Sequence, residues 1–253
     1  MPRKARQKSE TGIYHIITRG VNRQAIFEDD DDRQQYYMVL AKAKDKSPFE
    51  LYAYCFMDNH VHLLIREGAE NVSDVMRRIG SSYVYRYNKK YDRVGYLFQD
   101  RYRSEPVCDD QYFMTVLRYI HNNPLKAGIV KSIEDYKWSS FDDYLKDRGI
   151  TDTEFALNMF AKNKEKALNL FDKFHQEIND DQCLDIDLID RLNDEEALRI
   201  ILKTFEVESI AGISDMNRQD RDLCIKRLKN NYRLSVRQIE NLTGINRGII
   251  ARA

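Results

Sequence analysis

The sequence lacks the features that mark several protein classes. It has no net charge, because 41 basic side chains balance 41 acidic ones, and this argues against a protein that coats nucleic acid through bulk charge. It also lacks a long apolar run, since the stretch around Leu63-Leu64-Ile65 falls far short of the roughly 18 residues of a membrane span. No apolar stretch follows the basic N-terminus, so we expect no secretory signal and no membrane partner.

Cysteine is scarce and scattered. The four cysteines form no Cys-x-x-Cys pair, which excludes a zinc finger of the usual spacing and a disulfide scaffold. Free thiols are typical of a reducing compartment, so we expect a cytoplasmic protein. The four residues are Cys55, Cys108, Cys183 and Cys224.

The zero net charge hides a segmental pattern. The net charge is +3 over residues 1–150, −7 over 151–200 and +4 over 201–253. Two interpretations remain open: solvated faces of an ordinary protein, or two nucleic-acid-facing lobes joined by a segment that faces away. Composition does not choose between them.

The first 125 residues alternate between strand and helix patterns. Alternating apolar and β-branched residues predict strands over 12–18, 49–56, 60–66 and 102–107. Helical patterns with acids near their starts and lysines near their ends predict helices over 30–46 and 72–91. A further helix should begin at Asp109-Asp110 and end at Asn123, because Pro124 disfavours the α conformation there. The order β-α-β-β-α-β predicts an α+β, ferredoxin-like antiparallel sheet with helices on one face.

The C-terminal region predicts helices only. Helices are expected from Asp194 to Phe205 and over 216–230, followed by two short helices joined by a turn at Gly244. Ser235 and Gln238 have the spacing of a capping box, and Asn246 can cap the last helix. The pair is typical of a helix-turn-helix, although an ordinary helical hairpin would have the same pattern.

Two histidines stand two residues apart in a predicted strand. His60 and His62 therefore point to the same face of the sheet, where two imidazoles could hold a metal ion. A pair of hydrogen-bonded surface histidines is the alternative. Tyr119 and Asn123, four residues apart, share a face of the third helix, so a phenol and an amide could be presented together. Two imidazoles and an amide oxygen would suit Mg²⁺ or Mn²⁺ better than a closed zinc site. The helix pattern alone fits a packed aromatic at Tyr119 equally well.

Six stretches in the same order resemble the single-tyrosine HUH transposases, and more narrowly the REP-associated tyrosine transposase branch of the IS200-like family. The resemblance covers rather more than half of the chain and leaves the last 70 residues outside. The matching stretches are 12–16, 19–27, 55–64, 97–102, 119–130 and 138–140, which include Cys55-Phe56-Met57-Asp58-Asn59-His60-Val61-His62 and Tyr119-Ile120-His121-Asn122-Asn123-Pro124.

The resemblance implies a role for each matching residue. His60 and His62 would bind the divalent ion, Asn123 would be the third ligand where related enzymes often carry Gln, and Tyr119 would be the nucleophile. The implied activity is cleavage and rejoining of single-stranded DNA hairpins through a 5′-phosphotyrosine, by a monomer or a homodimer. The resemblance implies a catalytic domain over 1–148, while the charge and helix patterns outside it predict a helical acidic connector over 149–193 and a helix-turn-helix-like DNA-binding domain over 194–253. Candidate DNA contacts, for which ordinary surface solvation is the alternative, are Arg19, Asn22, Arg23, Arg101 and Arg103.

Two other functions compete with this one. A DNA-binding regulator without catalysis could work through the C-terminal helix pair, although His60, His62 and Tyr119 are all present. A zinc hydrolase could use the two histidines, but the sequence has no His-Glu-x-x-His motif. A Tyr119→Phe change should abolish the transposase activity and leave the regulator activity intact.

Overall fold

The computed structural model describes residues 6–184, 194–232, 234 and 236–253. Its four strands form one sheet in the order β2-β3-β1-β4, and every neighbouring pair is antiparallel. The ferredoxin-like α+β fold predicted from the sequence is thereby confirmed. The strands are β1 (Ile13–Arg19), β2 (Glu50–Met57), β3 (His60–Arg66) and β4 (Arg103–Val107).

Both faces of the sheet are buried. Helices α1 (Asp30–Lys46) and α2 (Val72–Lys90) cover one face, as predicted, and pack against residues such as Ile16 and Leu63. Helix α3 (Asp110–Lys126) covers the opposite face and packs against Leu64. Because neighbouring residues of a strand point to opposite sides, β3 contributes alternate residues to two separate cores.

The end of α3 differs from the prediction. The helix does not stop at Asn123 but continues through Pro124 to Lys126. Proline lacks only its own N–H donor, and the next turn still forms a hydrogen bond from the Ala127 amide to the Asn123 carbonyl. Asn123 therefore lies inside a regular helix rather than at its end.

Three more helices extend the α3 side. They are α4 (Phe141–Lys146), α5 (Glu154–Phe160) and α6 (Lys164–Gln176). Apolar residues of α5 and α6, among them Leu157 and Phe171, join the same core as α3. Contacts divide the chain into two units, Met1–Asp185 and Ile186–Ala253, so most of the segment predicted as a connector packs within the first unit.

The second unit is helical. It contains α7 (Asp194–Phe205), α8 (Arg218–Asn230), α9 (Val236–Thr243) and α10 (Arg247–Arg252), which enclose a small apolar core. Gly244 takes a positive φ of 72° between α9 and α10, and the Asn246 side chain caps α10. The predicted capping residue Ser235 lies outside the described residues. Across the described part of the chain, no helix is both long enough and apolar enough to span a bilayer.

Candidate metal and nucleophile site

The candidate site lies where the start of β3 meets the last turns of α3. His62 is fully buried on the face of the sheet that α3 covers, and His60 lies beside it, half-buried at the strand end. Their ring centroids are 4.9 Å apart. Tyr119 and Asn123 reach the same place from α3, because residues four apart share a helix face. Strand periodicity places the two histidines together, and helix periodicity places Tyr119 and Asn123 together. The packing of α3 against the sheet then joins the two pairs into one cluster.

The Asn123 amide connects the two histidines. Its Nδ2 lies 3.3 Å from His62 Nε2, and the same amide hydrogen-bonds His60. On the other side of the His60 ring, Nδ1 lies 2.6 Å from the Asn59 Oδ1 atom, which can only accept a hydrogen bond. Neutral His60 therefore carries its proton on Nδ1, which leaves its Nε2 atom unprotonated.

Tyr119 stands at the edge of this cluster. Its side chain is 5% exposed, and its ring centroid lies 5.8 Å from that of His62 in an edge-to-face arrangement. The Lys126 ammonium lies 5.3 Å from the centroid of the Tyr119 ring. The ammonium therefore makes a cation–π contact with the ring.

Burial keeps the histidines neutral. It lowers the pKa of His60 to about 4, with the positive charge of Arg19 as a second cause. Burial lowers the pKa of His62 well below the ordinary value, and the neighbouring imidazoles of His60 and His15 add to the effect. A neutral imidazole is the form that binds a metal ion.

The donor set fits a divalent cation. Two neutral imidazoles and one amide converge at this place. The positively polarised N–H of the Asn123 amide already points to the Nε2 lone pair of His62, the same lone pair that would bind a cation. Two protein nitrogens and one oxygen leave positions for water and for phosphate oxygens, as an ion that acts on a phosphodiester requires.

A second cluster of potential ligands does not fit a metal. Asp29, Asp31 and Asp32 bring three carboxylates together at the start of α1. The Lys90 ammonium already sits among them, 2.8 Å from an oxygen of Asp29, 3.0 Å from one of Asp31 and 2.8 Å from one of Asp32. This cluster is an ion-pair network that ties α2 to α1.

The candidate DNA contacts fall in different places. In the strand register, Arg19 of β1 lies opposite His60 of β3. Arg103 of β4 lies opposite Ile17, which in turn lies opposite His62, so both arginines flank the cluster. Asn22 and Arg23 form a tight turn, with φ values of 49° and 61°, next to the β2–β3 turn. Arg101 instead lines a cavity beside α2, on the side of the sheet away from Tyr119.

The prediction from the sequence missed three residues of this cluster. Asn59 precedes the first histidine, and Lys126 lies seven residues after Tyr119, a spacing that places both on one helix face. His15 contacts His62 from the neighbouring strand. Periodicity could have found Lys126, whereas His15 depends on the register of two strands that are distant in sequence.

Comparisons with known proteins match the part of the chain that contains this cluster. Residues 8–123 match the family described as "Transposase IS200 like". A REP-associated tyrosine transposase of Escherichia coli is 27% identical over 112 residues, which are 42% of this chain and 65% of that protein. A protein of Haemophilus influenzae, proposed to be a REP-associated tyrosine transposase, is 28% identical over 105 residues, 37% of this chain and 60% of that protein. The matched regions thus span less than two thirds of these relatives.

A solved structure is also similar. The structure of a REP-associated tyrosine transposase bound to a REP hairpin superposes with a TM-score of 0.51 and 20% identity, covering 61% of this chain and 96% of that one. This likeness shows a shared fold. Together with the sequence matches, it confirms the predicted resemblance to IS200-like, REP-associated tyrosine transposases.

Proposed function

We propose that this protein is a single-strand DNA transposase that cleaves and rejoins DNA through a 5′-phosphotyrosine intermediate. One observation carries the proposal: two neutral imidazoles, an amide and a tyrosine converge in a single cluster between β3 and α3. The similarity of residues 8–123 to IS200-like transposases supports it independently.

His60, His62 and Asn123 would hold Mg²⁺ or Mn²⁺. Such an ion polarises the scissile phosphate and stabilises charge on its oxygens. Neutral histidines are needed for this, and the burial that lowers their pKa values supplies them at neutral pH. Asn59 orients His60 by fixing its proton on Nδ1.

Tyr119 would be the nucleophile. Its Oη–P bond forms while the bond from phosphorus to the 3′ oxygen breaks; the phenol gives up its proton, and the departing 3′ oxygen gains one. A phenol with an ordinary pKa near 10 is a poor nucleophile at neutral pH, so the nearby Lys126 charge would assist. In rejoining, a 3′-hydroxyl attacks the phosphotyrosine, its proton returns to the phenol, and no external energy source is needed.

The substrate would be a DNA hairpin with a single-stranded cleavage site. Tyr119 is largely buried, so the scissile phosphate must enter a confined place that a rigid duplex does not fit. Arg19 and Arg103 flank the cluster and would contact phosphates, as would Asn22, Arg23 and, farther away, Arg101. The α9–α10 pair would add a helix-turn-helix-like contact. The relative whose structure contains a REP hairpin supports this class of substrate.

A covalent trapping assay tests the proposal. The protein is incubated with labelled single-stranded hairpin DNAs and Mg²⁺ or Mn²⁺ and then run on a denaturing gel. We expect a protease-sensitive DNA adduct that Tyr119→Phe and His60→Ala remove. The matched control is Tyr85→Phe. Tyr85 lies on α2 and is 70% exposed, so this substitution should leave the adduct unchanged.

The outcomes separate the competing functions. Binding on a native gel without an adduct in either metal would refute the nucleophile assignment and favour the regulator. An adduct that persists in Tyr119→Phe would assign the nucleophile to another residue. Sedimentation of the protein with and without hairpin DNA would show whether a monomer or a homodimer binds it.

A further inference from the structure

We infer that His15 is a positioning residue that holds His62 in the tautomer whose Nε2 atom can bind a metal ion. The inference rests on the proposed function, because it concerns a residue proposed there as a ligand. His15 lies on β1, outside the set of residues that the resemblance points to as ligands or nucleophile.

His15 reaches His62 across two neighbouring strands. In the register of β1 and β3, His62 lies opposite Ile17 and His15 lies opposite Leu64, so both histidines face α3. The Nε2 atom of His15 is 3.0 Å from the Nδ1 atom of His62. Both rings are fully buried and nearly parallel, with 5.3 Å between centroids and 23° between planes. The contact is therefore fixed by the sheet and shielded from solvent.

The partners of His62 determine where its proton lies. The Asn123 amide nitrogen can only donate, so the Nε2 atom of His62, 3.3 Å away, accepts. The proton of neutral His62 must then be on Nδ1, which donates to His15 Nε2. Asn59 fixes His60 in the same tautomer from the other side. Each proposed histidine ligand is thus held at Nδ1 by a dedicated acceptor, which leaves both Nε2 lone pairs for an ion.

This arrangement has a cost for His15. Because its Nε2 accepts, its own proton is on Nδ1, and that atom is buried without a hydrogen-bond partner among the residues the structure describes. A buried donor without a partner destabilises a fold, because it has lost its hydrogen bonds to water. An apolar ring would fill the same space without this cost, so packing alone does not account for a histidine here. An acceptor aimed at His62 does.

Two substitutions separate the positioning role from a packing role. His15→Phe keeps the ring and removes the acceptor. His15→Gln removes the ring but can place its Oε1 atom where Nε2 was and accept from His62. A matched control is His175→Gln, which changes another buried histidine that makes no contact with His62.

Two measurements follow each variant. The ¹⁵N spectrum of the metal-free protein reports the tautomer of His62, and calorimetric titration with Mn²⁺ reports the affinity. We expect wild-type His62 to carry its proton on Nδ1. His15→Phe should lose this single tautomer and weaken Mn²⁺ binding by about 10–100-fold, as for other groups that orient metal ligands. His15→Gln should restore most of the affinity, and the control should bind Mn²⁺ as wild type does. Urea unfolding should show His15→Phe close to wild type in stability, because the substitution removes the unpaired N–H of His15 but leaves the N–H of His62 without an acceptor.

The outcomes distinguish the inference from the function on which it rests. If His15→Phe keeps the tautomer and the Mn²⁺ affinity of wild type, the inference is wrong while the metal site stands. If both variants lose stability and affinity together, His15 is a packing residue and the inference is again wrong. If wild type does not bind Mn²⁺, the proposed metal site fails, and the tautomer of His62 in the two variants still decides what His15 does.

Discussion

Mild acid should destabilise the first unit through a buried pair of histidines. His121 and His175 join α3 to α6, with 2.9 Å between Nδ1 of the first and Nε2 of the second. His175 donates from its own Nδ1 to the Phe171 carbonyl, so its Nε2 must accept from His121. His121 in turn accepts from the Ser140 hydroxyl through Nε2. The bond between the two rings requires His175 to be neutral, because a proton on His175 Nε2 would face the His121 N–H.

The magnitude follows from His175. Burial lowers its pKa from 6.5 to about 4; the Arg118 charge lowers it further, while the Phe171 carbonyl and Asp181 oppose the shift. The unfolded chain therefore binds a proton that the folded chain does not, and stability present above pH 6.5 is lost as the pH falls toward 4. For this one group the loss at pH 5 is roughly 2 kcal/mol. Burial also lowers the pKa of His15 to about 3 and that of His60 to about 4, so the total loss is larger.

Urea unfolding at pH 7 and pH 5, in the presence of EDTA, measures this loss. Fluorescence of Trp138, the one tryptophan of the protein, reports on the first unit. His175→Gln keeps an acceptor for His121 without a titrating group, so it should lose about 2 kcal/mol less than wild type between the two pH values. Equal losses in wild type and variant would refute the reasoning, as would a wild-type stability that does not change.

Three further substitutions test the packing, each by the free energy of unfolding in urea. Gly68→Ala would place a Cβ 2.0 Å from the Pro48 carbonyl oxygen and should cost about 1–3 kcal/mol, so a neutral result would contradict this contact. Gly80→Ala, inside α2, would place a Cβ 4.0 Å from the Phe98 ring and should instead stabilise by about 0.5–1 kcal/mol; a loss would mean that the packing around this position is too tight for a methyl group. Arg118→Ala removes the two-pronged ion pair to Asp181 (2.7 and 3.0 Å), whose side chains are only 12% and 10% exposed, and should cost about 3 kcal/mol; a cost below 1 kcal/mol would show that water replaces the arginine.

Much of the sheet and of the candidate cluster could be predicted because it depends on local periodicity. The bounds of β3 and α1 agree with their patterns, and the two-residue spacing of His60 and His62 is sufficient to place them on one face. Tyr119 and Asn123 share a helix face for a similarly local reason. These features need no knowledge of which elements pack together.

The remaining features depend on contacts between distant segments. The register of β1 against β3 decides that His15 meets His62, and no pattern within either strand contains that information. Leu157 and Phe171 belong to the core that also contains residues of α3. The sequence does not show that their segment packs against α3, and it was therefore predicted as a connector. Pro124 gave a misleading local signal, because the hydrogen bond that it removes is only one among those of the last two turns.

The double burial of the sheet has a consequence for engineering. Along β3, Val61, Leu63 and Ile65 belong to the α1–α2 core, while His62 and Leu64 face α3. The two faces of β3 thus belong to two separate cores, and the side chains of one face can be replaced while those of the other are kept. A library that varies Val61, Leu63 and Ile65 would change the α1–α2 core without replacing a side chain of the proposed site. A one-residue insertion inside β3 would turn the residues on one side of it to the opposite face and disrupt both cores at once.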